Sequence, residues 1–350
     1  MPRERDLVQF LDEWAWSDPQ RRGVARTIEV IARAALALHE HVDRGELAGG
    51  LDVVGVKPAD GEPQTSLDRY ANALLVDALR DAPVAAMLSE EVERPVVLYP
   101  DQPLVAAIDP LDGSTNIDTN AAIGTIFSLL PRSNPADRGD CSGCCFLQPG
   151  TNQLASGFVV HGPSVLMALT VRAGTQIFTF DPSSGRFILT VPNVQIPAMA
   201  REYAINASNY RHWDEAIRIY VDDCLKGVEG VRGCDFNMRW IGSLVAEIYR
   251  IFTRGGIYIY PADQREGYQH GRLRLIYEAN PIALLVEQAG GAASTGRERI
   301  LDIKPGSLHQ RTPVVVGSRA EVDYVNRLYT HPHALGERSP LFGHRGLFRI

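Results

Sequence analysis

Apolar residues recur at intervals of three and four between positions 26 and 42, at Ile28, Ile31, Ala35, Leu38 and Val42. That spacing is one face of an α-helix, so the pattern predicts that a helix opens the fold. Leu67, Ala71, Leu74, Ala78 and Leu79 repeat the stripe and predict a second helix, while residues 45–66 between the two are rich in Gly, Pro and Asp and read as a polar loop. Residues 85–88 and 104–108 are short unbroken apolar runs, the pattern of strands buried on both faces, and each leads into carboxylates. Five further strand-like runs follow at 123–130, 154–160, 166–171, 176–180 and 187–191, a succession that favours a mixed or antiparallel sheet. Beyond Pro197 the pattern turns to helices at 213–226, 244–252 and 281–288, alternating with strands at 257–260 and 314–316. The change predicts one domain over 1–197, a second over 198–335 and a tail at 336–350. Asn280 before Pro281 is a helix-start signal and Gly290-Gly291 a helix-stop signal, so the helix between them has the clearest bounds.

With 45% hydrophobic and 22% charged residues over 350 positions, the composition is that of a folded globular protein rather than a disordered or fibrous one. The 35 Lys and Arg against 42 Asp and Glu give −7, which disfavours broad binding to nucleic acid or to anionic membranes and leaves a local phosphate site open. No apolar run approaches the roughly 18–20 residues of a membrane span, and the N-terminus lacks the apolar stretch of a secretion signal, so a cytoplasmic location is expected. The five cysteines are odd in number, with Cys141, Cys144 and Cys145 clustered and Cys224 and Cys234 distant, a distribution that predicts reduced thiols.

The segment richest in chemistry is Asp109-Pro110-Leu111-Asp112-Gly113-Ser114-Thr115-Asn116. Pro110 fixes one φ angle, so the chain is expected to turn as it leaves the strand and to aim both carboxylates and the Leu111 carbonyl at one point, a set of hard oxygens suited to Mg²⁺ or Mn²⁺. Gly113 allows close backbone approach, and the N–H groups of Gly113, Ser114 and Thr115 form a candidate anion nest beside the metal. The same residues also make a good surface turn. Glu90 and Glu91 are consecutive, so they serve one site only at a strand end; a solvated acidic turn paired with Arg94 is the plainer alternative. What favours a site is the sum of Glu90, Glu91, Asp109 and Asp112, because so many clustered carboxylates are costly without cations between them. Farther on, Arg272, Arg274, Ile276 and Glu278 share one face if residues 271–281 begin as a strand, lining up two guanidiniums and an acid for phosphate recognition, or forming an exposed cross-strand ion-pair ladder. The motifs of P-loop nucleotide hydrolysis, the serine-hydrolase elbow and zincin chemistry are missing, and the histidines and Cys141-x-x-Cys144-Cys145 make no complete ligand set.

Along nearly its whole length the chain resembles class I fructose-1,6-bisphosphatase. Asp109-Pro110-Leu111-Asp112-Gly113-Ser114 marks the wider superfamily of Mg²⁺-dependent, lithium-sensitive sugar and inositol phosphatases; Ser89-Glu90-Glu91, residues 239–247, residues 271–281 and Glu287-Gln288-Ala289-Gly290-Gly291 narrow it. The resemblance implies a layered α-β-α-β-α sandwich of mixed sheets, an α+β fold, with a metal-binding catalytic N-terminal domain and a sugar-phosphate-binding C-terminal one. It implies two or three Mg²⁺ per subunit held by Glu90, Glu91, Asp109, the Leu111 carbonyl, Asp112 and Glu278, with Gly113, Ser114, Thr115 and Arg274 around the phosphate to be cleaved. Asp68 and Glu91 would orient or deprotonate the attacking water, with Glu62 assisting. Asn206, Tyr210, Tyr260 and Arg272 would hold the second phosphate, joined by Arg239 from a neighbouring subunit of a homotetramer. The implied reaction is hydrolysis of fructose 1,6-bisphosphate in gluconeogenesis or carbon fixation. Sedoheptulose 1,7-bisphosphate hydrolysis, an inositol-phosphate-type activity and a non-catalytic sugar-phosphate sensor are the alternatives. The chain departs from the family's usual pattern at Arg272, where Lys is common, at Trp240, where Tyr is common, and at Pro103-Leu104, where AMP-inhibited members carry a Lys-Tyr pair. Weak or absent AMP inhibition is the expectation.

Overall fold

The computed structural model describes residues 5–45, 52–56, 63–132 and 143–330. Its first part runs α1 (Leu7–Ala15), α2 (Pro19–Val42), β1 (Val53–Val56), β2 (Pro63–Thr65), α3 (Ser66–Leu79), β3 (Val84–Ser89), β4 (Val96–Val97), β5 (Leu104–Asp112), β6 (Ile123–Pro131), β7 (Ala155–His161), β8 (Val165–Thr170), β9 (Thr175–Asp181) and β10 (Arg186–Val191). Its second part runs β11 (Glu202–Ala204), α4 (Glu215–Leu225), β12 (Asn237–Met238), α5 (Leu244–Arg254), β13 (Ile257–Tyr260), β14 (Leu273–Arg274), α6 (Asn280–Gln288), β15 (Ala292–Ser294), β16 (Arg311–Thr312), β17 (Val314–Gly317) and α7 (Arg319–Thr330).

Strand alternation builds the layers. The first part forms an eight-stranded sheet in the order β10-β9-β8-β7-β6-β5-β3-β4, antiparallel except for the parallel pair β3 and β5. From β6, Phe127 and Leu129 point to the face covered by α1, α2 and α3, where they meet Leu11, Ile28 and Leu75. Ile126, one position over, points to the opposite face and meets Ile248 of α5 and Leu285 of α6. The five-stranded sheet β12-β11-β13-β17-β15 alternates in the same way. Tyr258, Val314 and Val316 face α5 and α6, while Ile257, Ile259 and Val315 face α4 and α7. Each sheet thus buries both faces, and the result is the layered α-β-α-β-α sandwich of mixed sheets.

Several local expectations are corrected. Two helices went unread: α1, capped by the Asp6 carboxylate with Gln9 reaching back, and α7. α2 begins at Pro19, on an Asp18 cap, well before position 26. The loop expected over 45–66 contains the antiparallel pair β1 and β2. The strand expected after Gly271 ends at Arg274, and Leu275–Ala279 is a π-helical turn running straight into α6. Asn280 is therefore already helical and its side chain caps nothing, since the turn before it supplies backbone carbonyls that a free helix start would lack. The far end is as read: the N–H groups of Gly290 and Gly291 donate to the Glu287 and Val286 carbonyls.

Candidate active site

β5 is the backbone of the site, and it does not turn at Pro110. The strand continues to Asp112, with Asp109 opposite Ile126 and Asp112 opposite Gly124 on β6, so three steps on β5 match two on β6. In a regular strand residues three apart face opposite sides. The extra residue of this β-bulge, where a proline is tolerated, flips the parity and turns both carboxylates to one side. The Leu111 N–H donates to Asp109 Oδ1 at 3.0 Å, and Thr125 Oγ1 donates to the Pro110 carbonyl at 3.0 Å, which fixes the bulge. Gly113 follows at φ +74°, the left-handed conformation that ends the strand at low cost, and Ser114–Asn116 form a 3₁₀ turn.

Asp112 is anchored from the second part of the chain. Its Oδ2 accepts from Ser243 Oγ and from the Val245 N–H, both at 3.1 Å, at the N-terminus of α5. An anion there is favoured by unpaired amides and the helix dipole. α5 comes this close because β6 has no side chain at position 124: a Cβ on Gly124 would stand 2.4 Å from the Val159 carbonyl and 2.6 Å from Val245 Cγ2.

Glu278 arrives by the π-helical turn rather than by strand alternation, accepting the Arg274 N–H on Oε2 at 2.6 Å. Asp109, Asp112 and Glu278 are all buried, and each places a carboxylate oxygen within 4.8 Å of the others. At an effective dielectric of about 20, two unit charges that far apart repel by about 3.5 kcal/mol. Burial, and then the nearby Glu90, hold the Glu278 carboxyl well above its ordinary range. A cluster of hard oxygens that must take up positive charge, as a proton or a cation, fits a divalent metal.

Glu90 lies beside Asp109 because β3 and β5 run parallel, its N–H donating to the Ile108 carbonyl at 3.3 Å. Glu90 lines the cleft with Asp109, Leu111, Asp112 and Glu278. Glu91, the next residue, is buried, and Gln64 Nε2 donates to its Oε2 at 2.6 Å. Asp68 is fully buried in the first turn of α3, its Oδ2 accepting from the Thr65 N–H and Oγ1, while Oδ1 makes no hydrogen bond. Leu67 and Leu111 share a small apolar cluster, which brings this turn against the bulge.

The cleft, of about 270 Å³, continues past Gly113, Ser114, Thr115 and the buried Arg274 to Trp240, Gly242, Tyr258, Tyr260 and Arg272. Trp240 lies parallel to Tyr258, with ring centres 5.9 Å apart, and the Arg272 guanidinium sits 5.6 Å from the Tyr260 ring and 4.3 Å from that of Tyr268. Behind this wall the fully buried Glu247 accepts the Ile241 N–H at 2.6 Å and Arg250 Nε at 3.0 Å, and Arg250 Nη1 continues to Glu202 at 2.9 Å. Burial, the largest influence, raises the Glu247 carboxyl.

Asn206 and Tyr210, expected at the distal end, do not line this cleft. Asn206 and Tyr210 sit in the exposed 3₁₀ turn before α4, Asn206 bonded to Ser208 and Tyr210 to Asp222. Arg239 is half exposed and pairs with Glu202 at 3.6 Å. Glu62 and Cys141 lie outside the described residues; Cys144 is exposed and Cys145 buried. The sequence reading passed over Tyr258, and over the anchoring parts of Gln64, Thr65 and Ser243. Ser243, standing before an apolar run, and Thr65, three residues before Asp68 in a capping-box pattern, carried local signs of helix caps; Gln64 and Tyr258 carried none.

Comparison with known proteins agrees with the geometry. A family model described as Fructose-1-6-bisphosphatase, N-terminal domain, matches residues 15–192, and one described as Fructose-1-6-bisphosphatase, C-terminal domain, matches residues 196–330. The Fructose-1,6-bisphosphatase class 1 of Sinorhizobium medicae is 53% identical over 333 residues, covering 95% of each chain. That of Rhizobium meliloti is 52% identical over 336 residues, covering 96% of each. The solved structure of Leishmania major fructose-1,6-bisphosphatase in holo form has a TM-score of 0.85 at 32% identity, covering 94% of this chain and 100% of that one. With both parts of the chain matched and about half of its residues shared with such relatives, the protein belongs to the class 1 fructose-1,6-bisphosphatase family.

Proposed function

We propose that this protein hydrolyses the 1-phosphate of D-fructose 1,6-bisphosphate, giving D-fructose 6-phosphate and inorganic phosphate. The observation that carries the reading is the division of one cleft: buried carboxylates, the Gly113–Thr115 backbone and Arg274 at one end, Tyr260 and Arg272 at the other. The first end suits a phosphate to be cleaved beside cations, and the second suits a phosphate that is kept.

Asp109, Asp112 and Glu278, with Glu90, Glu91 and the Leu111 carbonyl, would hold two or three Mg²⁺, with Mn²⁺ as a substitute. Divalent ions held there acidify bound water and offset the charge of the phosphoryl oxygens. The Ser114 and Thr115 amides open a 3₁₀ turn, where no intrahelical carbonyl takes them, and they and the Arg274 guanidinium would bond those oxygens in the transition state. Asp68 Oδ1 and Glu91 would orient the attacking water and accept its proton as the new P–O bond forms and the ester P–O bond breaks. Glu62 would assist. Arg272 and Tyr260 would fix the 6-phosphate by fork and phenol.

The remaining distal residues point to assembly. Arg239 stands in the chain between the exposed Met238 and Ile241, apolar side chains that an interface would cover. In a homotetramer Arg239 would enter a neighbour's cleft, while Asn206 and Tyr210 would close on the 6-phosphate once Tyr210 leaves Asp222. A domain division near 197 follows the two sheets. No helix among the described residues is long and apolar enough to cross a membrane, and a cytoplasmic role in gluconeogenesis or carbon fixation is part of the proposal.

Phosphate release from fructose 1,6-bisphosphate, sedoheptulose 1,7-bisphosphate and inositol 1-phosphate, with and without Mg²⁺, tests the reading. Mg²⁺-dependent turnover with the highest kcat/KM on fructose 1,6-bisphosphate is expected. Preference for either other substrate, or turnover unaffected by chelation, would overturn it.

A further inference from the structure

Tyr258 lies within β13, where alternation sends Ile257 and Ile259 to the far layer and turns Tyr258 to the cleft. Its ring packs against Trp240, parallel at 5.9 Å, and against Tyr260, at 6.0 Å, and those two rings also meet at 5.9 Å, so the three form a triangular cluster. The residue is 4% exposed and lines the cleft, yet among the described residues nothing hydrogen-bonds its hydroxyl. A phenol hydroxyl ordinarily has a hydrogen-bond partner. Here the remaining source of one is whatever enters the cleft. Along the wall Tyr258 adjoins Tyr260 of the distal end, and it also feels the charges of Asp112 and Glu278 at the other end. A molecule carrying phosphates at both ends must pass its middle carbons over this ring.

We propose that Tyr258 is a specificity-determining residue whose hydroxyl bonds an oxygen of the sugar between its two phosphates. The inference rests on the proposed function and deepens it: the cleft selects a polyhydroxylated bridge as well as two phosphates at a given spacing. A phenol is ordinarily protonated below about pH 10, so it donates to and accepts from a sugar hydroxyl throughout the working range. A site built to bond a substrate hydroxyl rejects the analogue that lacks it, because its own polar group is then left unpaired.

The test compares wild type and Tyr258→Phe, which keeps the ring and its stacking, on two substrates: fructose 1,6-bisphosphate and hexane-1,6-diol bisphosphate, which has no hydroxyls between its phosphates. One neutral hydrogen bond corresponds to a loss of roughly 3- to 10-fold in kcat/KM on the sugar, and the diol bisphosphate should change by less than about twofold. An equal loss on both substrates would assign Tyr258 a purely structural part and overturn the proposal. So would an unchanged kcat/KM on the sugar in an active enzyme. A wild type that hydrolyses neither substrate overturns the proposed function itself, and this inference with it.

Discussion

Replacing Asp112 by Asn separates the two things its carboxylate does. As an anchor, Oδ2 accepts from Ser243 Oγ and the Val245 N–H, both at 3.1 Å. An amide oxygen keeps both bonds and gives up only the charge at the helix N-terminus, about 0.3–1 kcal/mol. As a charge, it stands within 4.8 Å of Asp109 and Glu278, where each fully ionised pair costs about 3.5 kcal/mol at an effective dielectric of about 20. Protonation of Glu278 relieves part of that cost and leaves the repulsion from Asp109. In chelator, therefore, Asp112→Asn should melt no lower than wild type, although a buried, hydrogen-bonded group has been changed. The difference should appear with Mg²⁺: wild type gains about 2.7 kcal/mol at a hundred times Kd, and the variant gains far less. Turnover should drop by about 10²-fold or more, the scale of losing one preorganised electrostatic group. Thermal melts in EDTA and in Mg²⁺, paired with phosphate-release kinetics, read all three. The reasoning fails if the chelated variant melts well below wild type, if Mg²⁺ stabilises both equally, or if kcat is unchanged.

Other expectations follow from the same geometry. The folded pKa of Glu278 lies well above its ordinary 4.5, mainly through burial and then through Glu90, so above pH 4.5 the folded state keeps a proton that the unfolded state has lost. Stability of the metal-free protein should fall as pH rises through that window, and Mg²⁺ affinity should rise with pH because the ion displaces the proton; calorimetry in buffers of different ionisation enthalpy that finds no proton release would contradict this. Gly124→Ala would press on the Val159 carbonyl and Val245, costing about 1–3 kcal/mol and moving the amide that holds Asp112. Both the melting temperature and Mg²⁺ affinity should drop, and a drop in stability alone would show that the contact does not position Asp112. AMP should inhibit weakly or not at all, since Leu104 is buried in β5 where AMP-inhibited members carry part of the Lys-Tyr pair; half-inhibition at low micromolar AMP would refute it.

The apolar pattern by itself determined the elements whose signal is local: the long α2 stripe, α3, the unbroken runs of β3 and β5, and the succession from β6 to β10 that makes an antiparallel sheet. It also determined which residue types were available, including every acid that lines the cleft. What tertiary structure decided was their direction. Asp109 and Asp112 face one way because β6 pairs across a bulge, and the spacing of three alone predicts opposite faces for them. Glu278 reaches the cluster through a π-helical turn that a period-of-two reading cannot foresee. Asp112 is fixed by the start of a helix more than 130 positions away, and Tyr258 opens into the cleft only because α5 and α6 bring the two sheets together. Periodicity reports which face a residue prefers within one element; where separate elements meet is set by pairing register and packing between them, which no short window of sequence contains.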